Sequence, residues 1–223
     1  MAHNHPGSRL LHLTNGKNAK NQNLLPTTVT QTLVDLNGNG GRSEFLLPYV
    51  NESMDMIYMS RPAILLPASQ IPNLLRDCYR ILKPGGAVKL RLIDAMPDQQ
   101  SAGPDLSEWI DTHLLETLEQ ESRISQPSLR VPIWAKLAGF VVPEIPEKTI
   151  CLPGVISCDE EATTVIGAKV AQDIWKASWG MFVRQGNSYC QTFWWEEPEI
   201  VQECITLGTT WTITTLLLTK IRR

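Results

Sequence analysis

Leu74, Leu75, Cys78, Ile81 and Leu82 recur at the spacing of a helix face, so the chain predicts an amphipathic helix there with one apolar stripe. Lys83 follows at the negative helix end, Pro84 forbids continuation, and Gly85-Gly86 predict a turn before the apolar run Ala87-Val-Lys-Leu-Arg-Leu-Ile93. Helix, turn and strand in this order form half of a parallel α/β crossover unit. Asp94 to Pro104 is polar and reads as a loop, of the kind that borders the ligand crevice when it follows a parallel strand. Leu106, Trp109, Ile110, Leu114 and Leu118 then share one side of a helix predicted over 106–124, and a second helical stretch is expected near Ile133 to Leu137. Val165 to Phe182 is amphipathic at helical period. Upstream, Lys17 to Thr32 is rich in Asn, Gln and Thr and contains Pro26, which predicts a short or poorly formed helix. Gly38-Asn-Gly-Gly41 predicts a turn, and Glu44-Phe-Leu-Leu47 a short apolar piece.

At 223 residues and 43% hydrophobic content the chain can bury a sizeable core, and its size suits one domain over 1–223. A formal charge of -3 and a pI near 5.8 give no broad basic footprint, which argues against nucleic acid and toward small-molecule or protein ligands. No apolar run is long enough to span a bilayer, and the first residues lack a secretory core, so a cytoplasmic protein is expected. Cys78, Cys151, Cys158, Cys190 and Cys204 are scattered without a C-x-x-C pair and read as mostly buried small hydrophobes. His3 and His5 sit near the amino terminus, and His113 could share a polar helix face with Asp111 and Glu116. No metal site is expected.

Several segments carry a resemblance. Asp77-Cys-Tyr-Arg-Ile-Leu-Lys-Pro-Gly-Gly86 resembles the helix and "LKPGG" turn after the fourth strand of class I methyltransferases dependent on S-adenosylmethionine (SAM). Pro48-Tyr-Val-Asn-Glu-Ser-Met-Asp-Met-Ile-Tyr58 resembles that family's approach to its fourth strand, and Ala138-Gly-Phe140 its "AGF" before the sixth. Trp195 to Cys204, with Gly208-Thr-Thr-Trp211, resembles the last helix and seventh strand of fungal methyltransferase-like proteins of secondary metabolism. The resemblance implies an α/β fold with a Rossmann-like seven-stranded sheet, mostly parallel with an antiparallel last strand. It also makes Ser8 to Leu13 the first strand and Thr32 to Leu36 the second. It implies cofactor contacts from Gly16, from Asp35 on the ribose hydroxyls, and from Asp55.

One motif departs from the family. Its first loop runs roughly D-x-G-x-G-x-G, because backbone must approach the cofactor without a Cβ in the way. The chain instead reads Leu13-Thr-Asn-Gly-Lys-Asn-Ala-Lys20, with Gly16 as the remaining glycine, Thr14 or His12 at the acidic position, and lysines that repel a sulfonium cation. A second departure is an aromatic-rich stretch over 158–195 with Trp175, Trp179, Phe182, Tyr189, Phe193, Trp194 and Trp195, expected as a helical lid or interface. Such side chains enclose a hydrophobic substrate, or they pack the helix on the sheet or form a dimer seam.

Three functions follow. The first is a methyltransferase-fold protein that no longer methylates and works as a cyclase, pericyclic or related, on a hydrophobic natural product. Its candidate catalytic groups are His12, Tyr58, Asp94 and His113, its substrate-binding candidates Arg61, Trp109, Trp175, Trp179 and Phe182, and it requires no cofactor. The second is an active SAM-dependent methyltransferase whose divergent loop holds SAM or S-adenosylhomocysteine through backbone groups. The third is a non-catalytic pseudoenzyme paired with a methyltransferase or with itself.

Overall fold

A computed structural model describes residues 9–14, 30–35, 47–155, 162–184 and 192–222, with 9–14, 30–35 and 162–164 described by their backbone. In chain order the elements are β1 (Arg9–Thr14), β2 (Thr30–Asp35), β3 (Met54–Ser60), α1 (Pro62–Leu65), α2 (Ile71–Ile81), β4 (Leu82–Ile93), α3 (Pro104–Ile110), α4 (Glu116–Gln120), α5 (Pro127–Leu137), β5 (Lys148–Pro153), α6 (Ala162–Trp179), α7 (Pro198–Leu207) and β6 (Thr210–Thr219). The fold is α/β. The described residues form a sheet of six strands, in the order β2-β1-β3-β4-β6-β5, where seven were expected. β1 pairs in parallel with both β2 and β3, and β3 pairs in parallel with β4. Among the described residues no helix is long and apolar enough to cross a membrane.

The chain divides into two compact units: Met1–Leu92 with Leu129–Lys148 and Thr215–Arg223, and Ile93–Ser128 with Thr149–Thr214. In the first, alternation along β3 and β4 buries Ile57, Met59, Val88, Leu90 and Leu92. Tyr58, Ser60, Lys89 and Arg91, at the alternate positions, stay half-buried or exposed. The helix expected over 74–82 is α2, which buries Ile71, Leu74, Leu75, Cys78 and Ile81. Each of the Ile and Leu side chains contributes about 1.5–3 kcal/mol by leaving water.

The Pro-Gly-Gly stretch is not a free turn after the helix. β4 begins at Leu82, directly at the end of α2, and pairs Leu82 with Met54 and then Ala87 with Met56, so Lys83 to Gly86 form a bulge inside the strand. Gly85 takes φ +79°, which favours glycine, and its N–H donates to the Lys220 carbonyl at 2.9 Å. Lys83, expected to cap the helix, instead pairs with Asp55 at 2.8 Å.

An ion pair between the buried Asp77 and the half-buried Arg80 ties the segment before β3 to α2. The Asp77 carboxylate accepts from the Leu47 N–H and from Arg80 Nε, while the Arg80 guanidinium donates to the carbonyls of Tyr49 at 2.7 Å and Leu47 at 3.0 Å and to Asn51 Oδ1 at 2.9 Å. At the end of α5, Gly139 has φ +101° with Tyr79 against its missing Cβ, and Phe140 meets the Tyr79 ring edge-on at 5.2 Å.

The second unit is organised by aromatic burial. The helix expected over 106–124 runs through α3 and α4 with a π-helical turn, Asp111–Leu115, between them. The Glu203 carboxylate, on α7, accepts from the Asp105 and Leu106 N–H groups and so caps α3. α7 ends at Gly208 in the left-handed conformation. α6 carries Trp175 and Trp179 into a cluster in which Trp175 meets Phe193, Trp194 and Trp195 edge-on, and Trp194 stacks on Trp211 at 4.8 Å. Cys78 and Cys204 are buried as expected, and burial pushes both thiols above their ordinary pKa; Cys151 is exposed, against expectation. Cys158 and Cys190 lie outside the described residues.

Replacing Asp77 with Ala leaves the Leu47 N–H unpaired and removes the counter-charge of Arg80, which keeps its bonds to Tyr49, Leu47 and Asn51. Urea denaturation is expected to show a loss of about 3 kcal/mol; a loss under about 0.5 kcal/mol, the range of an ordinary surface substitution, would mean that the pair does not hold this segment.

Candidate functional site at the carboxyl edge of the central strands

Ligands of open parallel sheets bind beyond the carboxyl ends of the strands, and strand register decides which residues reach that edge. Thr14 aligns with Asp35 at the ends of β1 and β2. His12 lies two pairs further in, beside Leu33 on one side and Tyr58 on the other. Tyr58 aligns with Lys89, and Ser60 with Arg91, at the end of β3 against β4. Gly16 and the lysines of the first loop lie outside the described residues.

Arg61 follows β3 immediately. It has φ 55° and ψ 55°, the left-handed region that costs a side chain about 1–2 kcal/mol, and it is followed by Pro62 at the start of α1. Its N–H donates to the Arg91 carbonyl at 2.9 Å. Burial holds the Arg61 guanidinium below its ordinary pKa, the charge of Arg91 lowers it further, and Tyr58 opposes both. Tyr58, Arg61 and Arg91 therefore form one electrostatic group. Lys89 is separately paired, with Glu147 at 3.0 Å. Arg91 was not singled out from sequence, although the alternation of Lys89 and Arg91 with Val88, Leu90 and Leu92 carries the signal for one polar strand face.

Asp55 sits at the opposite end of β3 from Ser60, with its carboxylate on Lys83. It is thus a strand length away from the edge at which a cofactor contact was expected. Asp94, directly after β4, belongs to the second unit. Its carboxylate accepts from the Ser128 N–H at 2.9 Å and from the Ser128 hydroxyl, which caps the start of α5. Burial raises the Asp94 pKa, the Ser128 bonds oppose that, and Asp98 adds to it.

The loop after Asp94 is tied down within its own unit. The Ala95 carbonyl accepts two indole N–H groups, from Trp175 at 3.0 Å and Trp211 at 3.3 Å, and its N–H donates to Ser125. Asp98 accepts from the hydroxyls of Thr210 and Thr212 at 2.7 and 2.9 Å.

The remaining candidates lie in the same unit. Trp109 donates to Glu197 at 2.9 Å and lies against His113 at 4.9 Å, and His113 sits in the π-helical turn. Trp179 lies near Phe182, over which Arg123 is set at 5.5 Å. Trp175, Trp179 and Phe182 are each at most 2% exposed, and their neighbours in the cluster occupy much of their ring surface. The indole N–H groups of Trp179 and Trp194 are buried with no hydrogen-bond partner among the described residues.

No family model and no curated protein matches the chain. Solved structures do. YcgJ from Bacillus subtilis is similar at 13% identity and a TM-score of 0.48, over 98% of this chain and 94% of that one. The [4+2]-cyclase SpnF is similar at 12% identity and 0.44, over 97% and 76%. Phosphoethanolamine N-methyltransferase 2 of Haemonchus contortus, solved with phosphomonomethylethanolamine and S-adenosylhomocysteine, is similar at 12% identity and 0.45, over 96% of this chain and 49% of that chain. Structures described as methyltransferases, and the cyclase SpnF, are among the structural neighbours.

The raised pKa of Asp94 sets the sign of a pH effect. The folded state holds this proton more tightly than the unfolded state, so stability from this group is greatest below the unfolded pKa and falls as pH rises through the folded one. Asp94→Asn carries no such ionisation. Its stability relative to the parent is expected to improve from pH 3.5 to pH 7 in urea titrations; a gap that is flat or moves the other way would contradict the assignment.

Proposed function

We propose that the chain is a methyltransferase-fold enzyme that has given up methyl transfer and closes rings in a hydrophobic small molecule. The observation that supports this reading is the sign of charge at the carboxyl edge: a half-buried Arg61 guanidinium, with Arg91 bonded to its backbone, at the mouth of the central strands. SAM carries a sulfonium cation at its reactive centre. Its repulsion by a cationic group is weakly screened where that group is partly removed from water. The sequence points the same way, with Thr14 rather than an acid at the end of β1 and lysines at positions 17 and 20. These residues do not fit a sulfonium ligand, and no step is routed through one.

Ring closure makes lighter demands. A flexible apolar substrate must be held so that its reacting carbons approach, and this alignment supplies much of the rate without a covalent role for the protein. Hydrogen bonding to a substrate carbonyl lowers the barrier further by stabilising charge that develops during closure. Tyr58 and Arg61 are the donors assigned to that task, with His12 beside Tyr58 in the sheet register. Trp109, Trp175, Trp179 and Phe182 are buried within the second unit and take no part in this assignment. No cofactor is required on this reading.

A second reading, active methyl transfer, is favoured by one feature. β2 ends in Asp35, the acidic position that in the resembled family holds the ribose hydroxyls.

Calorimetry of cofactor-stripped protein with SAM and S-adenosylhomocysteine separates the two readings, with mass spectrometry of the untreated protein as the check. The expected result is no saturable binding below about 1 mM, an affinity of about -4 kcal/mol. Micromolar binding, weakened by Asp35→Asn, would overturn the ring-closing reading in favour of methyl transfer.

A further inference from the structure

We infer that the outer face of α5 is a docking surface for an anionic lipid bilayer, to which the protein binds peripherally. At 3.6 residues per turn, Leu129, Ile133 and Leu137 fall within about 80° of one another, and they are 57%, 53% and 77% exposed. Val131 and Ala135, on the other side of the same helix, are buried. α5 is thus apolar on both sides, where a helix on a solvated surface turns polar residues outward. Single exposed leucines are ordinary, but three in line on one helix face read as an interaction site.

The residues around this row say what it meets. Arg130 and Lys136 lie about 20° outside it, on opposite sides. Both are exposed, and among the described residues neither takes part in an ion pair. α5 carries no acid. Trp134, half-buried, borders the face beyond Arg130. Aliphatic anchors between two cations, with an indole at the margin, are the composition of helices that lie in a membrane interface, where cations reach the phosphates and indoles rest among the headgroups. With 11 residues α5 is about 16 Å long against a hydrocarbon core of roughly 30 Å, so it would lie along the surface. The next acids along the chain, Glu144 and Glu147, follow the helix, and Lys89 neutralises Glu147 at 3.0 Å.

A protein partner fits this face less well. One row of three aliphatic side chains offers far less than the roughly 800 Å² that each partner of a stable complex buries. A second copy meets a further obstacle. The antiparallel pairing about Ile133 that sets Leu129 against Leu137 also sets Arg130 against Lys136, two like charges. Lipid headgroups instead offer both cations an opposite charge. The inference does not depend on the ring-closing reading, although a chain held at a bilayer could draw an apolar small molecule from the lipid, whichever reaction follows.

The test is co-sedimentation of the full chain with vesicles of phosphatidylcholine alone and of phosphatidylcholine mixed with phosphatidylserine, at low and at physiological salt. Binding to the mixed vesicles, weakening with salt, is expected, with little binding to phosphatidylcholine alone. Arg130→Gln and Lys136→Gln should each weaken it about 5-fold. Ile133→Asp should weaken it by roughly 10-fold and leave circular dichroism and melting temperature at parental values, because the side chain is already half in water. Leu137→Gln, at the most exposed position of the row, should act in the same direction. Failure to bind the mixed vesicles, equal binding to both kinds, or parental binding by the folded Ile133→Asp and Leu137→Gln proteins overturns the site. Sedimentation velocity without lipid decides the rival occupant. A monomer is expected, whereas a dimer that Ile133→Asp dissolves would give the face to a second copy and overturn the lipid assignment. Calorimetry with SAM does not bear on any of these results, so the two readings fail separately.

Discussion

The register of β3 against β4 is the constraint on which the first unit depends. Successive strand residues point to opposite faces, so a slip of one residue would turn Ile57, Met59, Val88 and Leu90 toward the polar side and bring Tyr58 and Lys89 into the core. The bulge at Lys83–Gly86 lets this register coexist with a strand that starts directly from the end of α2. Its glycines accept a backbone path closed to other residues, and the last residues of the chain hydrogen-bond to it. With the register set, Asp55 is given to Lys83 at one end of β3, and Arg61 is set beside Arg91 at the other.

In the second unit the corresponding constraint is the satisfaction of one carbonyl. Trp175 and Trp211 come from a helix and a strand far apart in sequence, yet both donate to Ala95. Among the described residues seven large rings are buried in the unit, and the polar ends of the indoles need partners once buried. The same bonds fix the loop after β4, together with Ser128 on Asp94 and the two threonines on Asp98. A loop that borders the crevice in related architectures is thus held firmly within its own unit. Asp94, a natural choice for a general base from its sequence position, spends both carboxylate oxygens on Ser128.

The functional reading turns on charge more than on shape. One α/β framework hosts many functions, and the side chains at the strand ends are among the features that select between ligands. On the proposed reading, Thr14, Arg61 and the lysines at 17 and 20 weigh against a sulfonium ligand, and Asp35 at the end of β2 is the feature that weighs for it. Electrostatic preference of this kind is local, so the chain's overall charge of -3 says nothing about the edge.

The sequence by itself determined the elements that rest on local rules. The period of Leu74, Leu75, Cys78 and Ile81 specified α2, the "AGF" glycine marked the end of α5, and the alternating run after Gly86 specified the body of β4. β1 and β2 fell within two residues of their expected limits. Only tertiary structure decided what the polar groups do. Lys83 caps no helix because Asp55 on the neighbouring strand offers a full opposite charge, and Asp94 serves α5 because Ser128, distant in sequence, presents both its N–H and its hydroxyl. Arg91 becomes part of the candidate site through a pairing that no local window contains. Periodicity records which face of an element is apolar; the partner of a charge depends on strand order and register, which are set by the whole chain at once.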